Sequence, residues 1–80
     1  MIIKVLGPGC ANCQNLARVT REAADELGIA IIVEKVEDYP TIASYGVMST
    51  PALVIDEQVV VAGRVPTLAQ VRALLAASVA

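Results

Sequence analysis

The chain opens with a short apolar run, Ile2 to Leu6, that Gly7-Pro8-Gly9 cannot extend, and it reads as a buried strand. From Cys10 to Leu27 the period changes. Cys13, Leu16, Val19, Thr20, Ala23, Ala24 and Leu27 fall on one stripe, with Gln14, Arg18, Arg21, Glu22 and Asp25 opposite, the pattern of an amphipathic helix with one buried face. Gly28 follows where a helix is commonly ended by a residue that accepts positive φ. Ile29 to Val36 then reads as a second, β-branched strand. Strand, helix and strand in about 35 residues make a βαβ unit.

Glu37-Asp38-Tyr39-Pro40-Thr41 breaks the strand pattern, and Pro40 suits the first turn of a brief second helix that Gly46 closes. Ala52 to Ile55 and Gln58 to Ala62 are both strand-forming, with only Asp56 and Glu57 between them, so the spacing predicts an antiparallel hairpin, though its turn lacks a glycine. Thr67 and Gln70 match a capping box for a third helix whose inner face is Leu68, Val71, Leu75 and Val79. The order is βαβαββα, with helices covering both faces of a four-stranded sheet in three layers.

Eighty residues make one domain, residues 1–80, which buries roughly 60 to 65% of its unfolded surface. The composition is 56% hydrophobic with no Trp and no Phe, so Ile, Val, Leu and Ala must build the core. Of the two aromatic residues, Tyr39 and Tyr45, both are expected to pack rather than to contact a substrate. The net charge is -2 and the charges are mixed along the first helix, which argues against nucleic acid as a partner. No run approaches the roughly 18 apolar residues of a membrane span, and the first is too short for a signal-peptide core. The expectation is a soluble, cytoplasmic monomer that does not engage a membrane.

Cys10 and Cys13 are the only two cysteines. In a reducing compartment such a pair is seldom a structural staple, and its spacing beside a βαβ pattern reads as redox-active or metal-binding.

Three features together resemble the thioredoxin-like small redox-active disulfide proteins, which are close in size to glutaredoxins. They are Gly9-Cys10-Ala11-Asn12-Cys13 after the first strand, Ser49-Thr50-Pro51 before the hairpin, and Gly63 after the last strand. The resemblance spans nearly the whole chain and implies a thioredoxin-like α/β fold. It also implies a thiol-disulfide oxidoreductase acting on disulfide-containing substrates with a cognate reductase, and no cofactor beyond the cysteine pair. It further implies that Pro51 is cis and faces the cysteines, and that Thr50 offers its backbone to an extended substrate. Gly63 would keep the backbone close to the substrate groove.

The unpaired amides and partial positive charge of a helix N-terminus favour a thiolate, so Cys10 is expected to attack a substrate disulfide. Cys13, one turn further on and in line with Leu16, is expected to resolve the mixed disulfide. Gly9, Ala11 and Asn12 complete this loop.

The chain also departs from thioredoxins, which usually have an aromatic residue before the first cysteine and Gly-Pro between the two; here these are Gly9 and Ala11-Asn12. Six residues before Cys10, where thioredoxins carry a buried acid, stands Lys4, and an ammonium there would favour a thiolate; the other reading is a lysine at a strand edge reaching for water. Gly63-Arg64-Val65-Pro66-Thr67 lacks the acid that glutaredoxins use to hold glutathione. Two alternatives stand beside the redox reading: a soft-metal, copper-type carrier using both thiolates, and a thioredoxin-like binding module without turnover. Structural zinc needs four ligands where this chain offers two Cys and no His.

Overall fold

The structure, a computed structural model, describes residues 1–9 and 11–79. In chain order it contains β1 (Ile2–Leu6), α1 (Ala11–Leu27), β2 (Ile32–Val36), α2 (Tyr39–Ser44), β3 (Ala52–Ile55), β4 (Gln58–Ala62) and α3 (Leu68–Val79). The sheet order is β2-β1-β3-β4. β1 runs parallel to β2 and antiparallel to β3, and β3 is antiparallel to β4. The sheet is therefore mixed, and the order βαβαββα is the one read from the sequence.

The period of two along β1 divides the core. Ile3 and Val5 pack with Leu16, Ala17, Ala23 and Ala24 of α1 and with Val71 and Leu75 of α3, while Leu6 packs with Ile42 and Val47 on the α2 side. Helices thus lie on both faces of the sheet, two on one side and one on the other. β3 is buried at all four positions because Leu53 and Ile55 serve the first cluster and Ala52 and Val54 the second.

Some boundaries and faces differ from the sequence reading. β2 starts at Ile32 rather than Ile29. Gly28, at φ +68°, donates to the Asp25 carbonyl and Ile29 N–H donates to that of Ala24 at 2.9 Å, so these residues wrap the end of α1 in a Schellman-type cap. The ladder begins only where β1 offers partners, with Ile32 N–H donating to the Met1 carbonyl. Leu27 and Val79, placed on inner stripes by periodicity, are exposed, and Ala17 takes a buried place instead; both exposed residues end their helices. Tyr39 is also exposed, on the first turn of α2, whereas Tyr45 packs against the α2-side core.

Local chemistry closes the remaining elements. Asp38 caps α2, accepting from Thr41 N–H at 3.1 Å and from the Thr41 hydroxyl. Thr67 N–H donates to Gln70 Oε1 and Gln70 N–H donates to Thr67 Oγ1 at 3.0 and 3.2 Å, the reciprocal capping box predicted for α3. In the hairpin turn Asp56 and Glu57 both have positive φ, 47° and 70°, the signature of a type I′ turn built without glycine. Partners across the sheet hold it: Asp56 N–H donates to the Ile2 carbonyl and Ile2 N–H to Asp56 Oδ1.

Candidate functional site

The site lies where β1 passes into α1. Gly7 follows the last residue of β1 and donates its N–H to the Val36 carbonyl at 2.9 Å, holding the chain against β2. Gly9 has φ +81°, a conformation that suits glycine as the chain turns toward the helix. Its carbonyl accepts from Gln14 Nε2 at 3.4 Å. Ala11 and Asn12 are exposed on the first turn of α1, which carries no acidic residue, so no carboxylate there opposes an anion at the helix start. Cys10 lies outside the described residues, and its predicted role is taken up below as a proposal.

Cys13 is 4% exposed and belongs to the core shared by α1, α3 and the sheet. Its sulfur lies against Gly7 so closely that a Cβ at position 7 would stand 2.3 Å from Sγ. The same point is 3.6 Å from the Thr50 Cβ. The Cys13 thiol and the Thr50 side chain are therefore both neighbours of Gly7. From the sequence, Gly7 only ends the first strand; the close approach of another chain segment is visible only in three dimensions.

The Thr50–Pro51 peptide bond is cis. Pro51 is buried and Thr50 partly so. The Pro51 carbonyl accepts from Gly63 N–H at 2.9 Å, which ties the end of β4 to the loop before β3. Gly63 has φ +80°, and a Cβ there would come within 3.0 Å of the Ser49 Cβ. Two constraints, backbone conformation and space, thus converge on a residue without a side chain. Cys13, Gly7, Thr50, Pro51 and Gly63 form one continuous region. Met48, 98% exposed just before Ser49-Thr50-Pro51, was not singled out by sequence reasoning; an apolar residue in a loop, outside any period, is its only signal.

β1 is a central strand, and Lys4 projects to the face opposite Ile3 and Val5, the face away from Cys13. Its ammonium donates to Glu57 Oε1 at 2.6 Å and to the Tyr45 hydroxyl at 2.7 Å, and lies 5.4 Å from the centre of the Tyr45 ring. The hydrogen bond to Glu57, then that to Tyr45, holds the Lys4 ammonium protonated well above its ordinary range, and the same bond holds the Glu57 carboxyl below its own. Lys4 is thus not a neighbour of the Cys13 thiol, and on a central strand its ammonium is paired with Glu57 and Tyr45. The β1 side chain that lines the space beside Cys13 is Val5, which brings no charge. Counting back six residues from Cys10 locates a position but not a face, and the alternation of β1 decides the face.

A thioredoxin-domain family model matches residues 1–76. The chain belongs to the thioredoxin-domain family. Among curated relatives, a thioredoxin of Methanothermobacter thermautotrophicus is 37% identical over 75 residues, covering 94% of this chain and 97% of that protein. A thioredoxin of Methanocaldococcus jannaschii is 31% identical over 72 residues, covering 90% of this chain and 83% of the relative. The mixed four-stranded sheet with helices on both faces is the thioredoxin-like α/β fold. Among the described residues, no helix is long and apolar enough to cross a membrane.

Proposed function

We propose that this member of the thioredoxin-domain family is a cytoplasmic, monomeric thiol-disulfide oxidoreductase working through the Cys10/Cys13 couple. The observation that supports this most is the burial of Cys13 against Gly7, within reach of the Thr50–Pro51 segment. A thiol so shielded is poorly placed to meet a large substrate itself and well placed to react with a neighbouring sulfur, which is what a resolving cysteine does.

In the proposed cycle the Cys10 thiolate attacks a disulfide of a protein substrate, forming a mixed disulfide and expelling one substrate thiolate. Cys13 loses its proton and attacks the Cys10 sulfur, so that the Cys10–Cys13 bond forms and the second substrate thiol leaves. Two electrons pass to the substrate, and a reductase restores the dithiol. Thr50 presents its backbone to the extended substrate, Pro51 and Gly63 shape the groove beside it, and Met48 supplies an adaptable apolar contact.

The test is a dithiothreitol redox titration of the purified protein, with free thiols alkylated and species read by mass. A reversible two-electron transition is the expected result, and a potential near about -270 mV would assign a reductant rather than an oxidant role. Failure to form the intramolecular disulfide at any poise would overturn the proposal and favour the metal carrier.

A further inference from the structure

The Cys13 thiol lies against Gly7, and a pocket opens beside it toward β2. It has a volume of about 220 Å³, and its walls include Val5, Gly7, Cys13, Gln14, Lys35 and Glu37. Drug-sized ligands occupy pockets of about 300 to 1,000 Å³, so this one suits a smaller molecule. Lys35 is in register with Val5 across the parallel ladder, and residues two apart on a strand share a face. Glu37 therefore follows Lys35 on the side of the sheet that carries Cys13. The Glu37 carboxylate reaches the loop before α1, with Oε1 3.6 Å from the point where a Cβ at Gly9 would stand. Among the described residues, neither Lys35 nor Glu37 takes part in an ion pair. One cation and one anion thus flank a small pocket that has a thiol in its wall.

From this juxtaposition we infer that the pocket is a subsite for a low-molecular-weight disulfide of the amino-acid type, one carrying both an ammonium and a carboxylate on each half. Glu37 receives the ammonium and Lys35 the carboxylate, while Gln14 offers its amide. A protein disulfide, flanked by peptide bonds, has no such charged pair beside its sulfur. The inference rests on the dithiol reading and names a second substrate class for it. With such a disulfide R–S–S–R, the Cys10 thiolate forms a Cys10–S–S–R bond and expels RS⁻, which takes up a proton. Cys13 then gives up its proton and attacks the Cys10 sulfur, the second RS⁻ leaves, and it too is protonated. The small disulfide gains two electrons and becomes two thiols; the protein dithiol becomes the disulfide, which dithiothreitol reduces again in vitro.

The experiment measures single-turnover oxidation of the reduced protein by cystine, by cystamine, which has ammonium groups only, and by 3,3′-dithiodipropionate, which has carboxylates only. Insulin serves as the reference substrate. Exposed ion pairs are weak, so each contact is expected to contribute up to about fivefold. Lys35→Glu should raise the cystamine-to-cystine rate ratio by about three- to fivefold over the unsubstituted protein, and Glu37→Lys should raise the dithiodipropionate-to-cystine ratio similarly. Comparing ratios between variants cancels the intrinsic reactivity of each disulfide, and a general loss of fold would lower all rates alike. Unchanged ratios in both variants, with insulin still reduced, would overturn the subsite alone; no reduction of insulin by the unsubstituted protein would overturn the dithiol reading beneath it.

Discussion

Gly7 and Cys13 share one space: the hydrogen-only side of Gly7 is where the Cys13 sulfur sits, and a Cβ there would approach it to 2.3 Å. Gly7→Ala must therefore turn the thiol into another rotamer or push α1 away from β1. Overpacking of this kind costs about 1 to 3 kcal/mol. The expected outcome is a lower urea midpoint together with slower closure of a preformed Cys10 mixed disulfide, read as release of the aromatic thiol from a 5-thio-2-nitrobenzoate adduct. Loss of stability with an unchanged closure rate would show that Gly7 serves packing only.

Cys13→Ser tests the division of labour between the two sulfurs. The variant should accumulate a stable mixed disulfide through Cys10 with a disulfide substrate, seen as an adduct by mass, whereas Cys10→Ser should accumulate none. Equal adduct formation by the two variants would contradict the assignment of attacker and resolver.

Gly63 and Gly28 both have positive φ, but only Gly63 has a neighbour in the way of a Cβ, Ser49 at 3.0 Å; around Gly28 nothing lies within 4 Å. Each replacement by Ala is expected to cost about 1 to 2 kcal/mol of stability from the backbone alone. Only Gly63→Ala should also disturb the Ser49-Thr50-Pro51 loop, appearing as a higher KM for insulin in a coupled reduction assay. A matching rise in KM for Gly28→Ala would show that the effect is global.

The Lys4–Glu57 pair makes a pH prediction. The hydrogen bond from Lys4 lowers the Glu57 pKa from its ordinary 4.5, so the folded state favours the carboxylate. The stability this gives is present above pH 4.5 and is lost as pH falls through the depressed value. For Lys4, raised from 10.5, the sign is reversed: its contribution is present below pH 10.5 and is lost as pH rises through the folded-state value. Glu57→Gln should therefore flatten the decline of the urea midpoint between pH 5 and pH 3. Asp38, whose pKa is lowered chiefly by the Thr41 hydroxyl, should retain its own share of the acid sensitivity in that variant. An identical acid profile in Glu57→Gln would mean that the pair is not coupled to folding.

Leu16, fully buried between α1 and the sheet, anchors the helix that carries Cys13. Leu16→Ala is expected to cost about 2 to 5 kcal/mol, measured by urea unfolding. A cost below about 1 kcal/mol would place the anchoring of α1 elsewhere.

The sequence by itself determined the elements and their order, because period and local chemistry act over a few residues: the stripe from Cys13 to Ala24, the Thr67–Gln70 box, Pro40 in the first turn of α2 and the two strands flanking Asp56-Glu57. It also marked Cys10, Cys13, Thr50, Pro51 and Gly63 as belonging together, on the strength of a resemblance rather than of spacing. The tertiary structure decided which face each residue serves and what stands opposite it. Lys4 is six residues from Cys10 in the chain yet turned away from Cys13, because successive strand side chains point to opposite faces. Gly7, Lys35 and Glu37 meet the Cys13 pocket because β1 and β2 pair in parallel across a helix of 17 residues. Such neighbours are made by the closure of the sheet, and no local pattern encodes them.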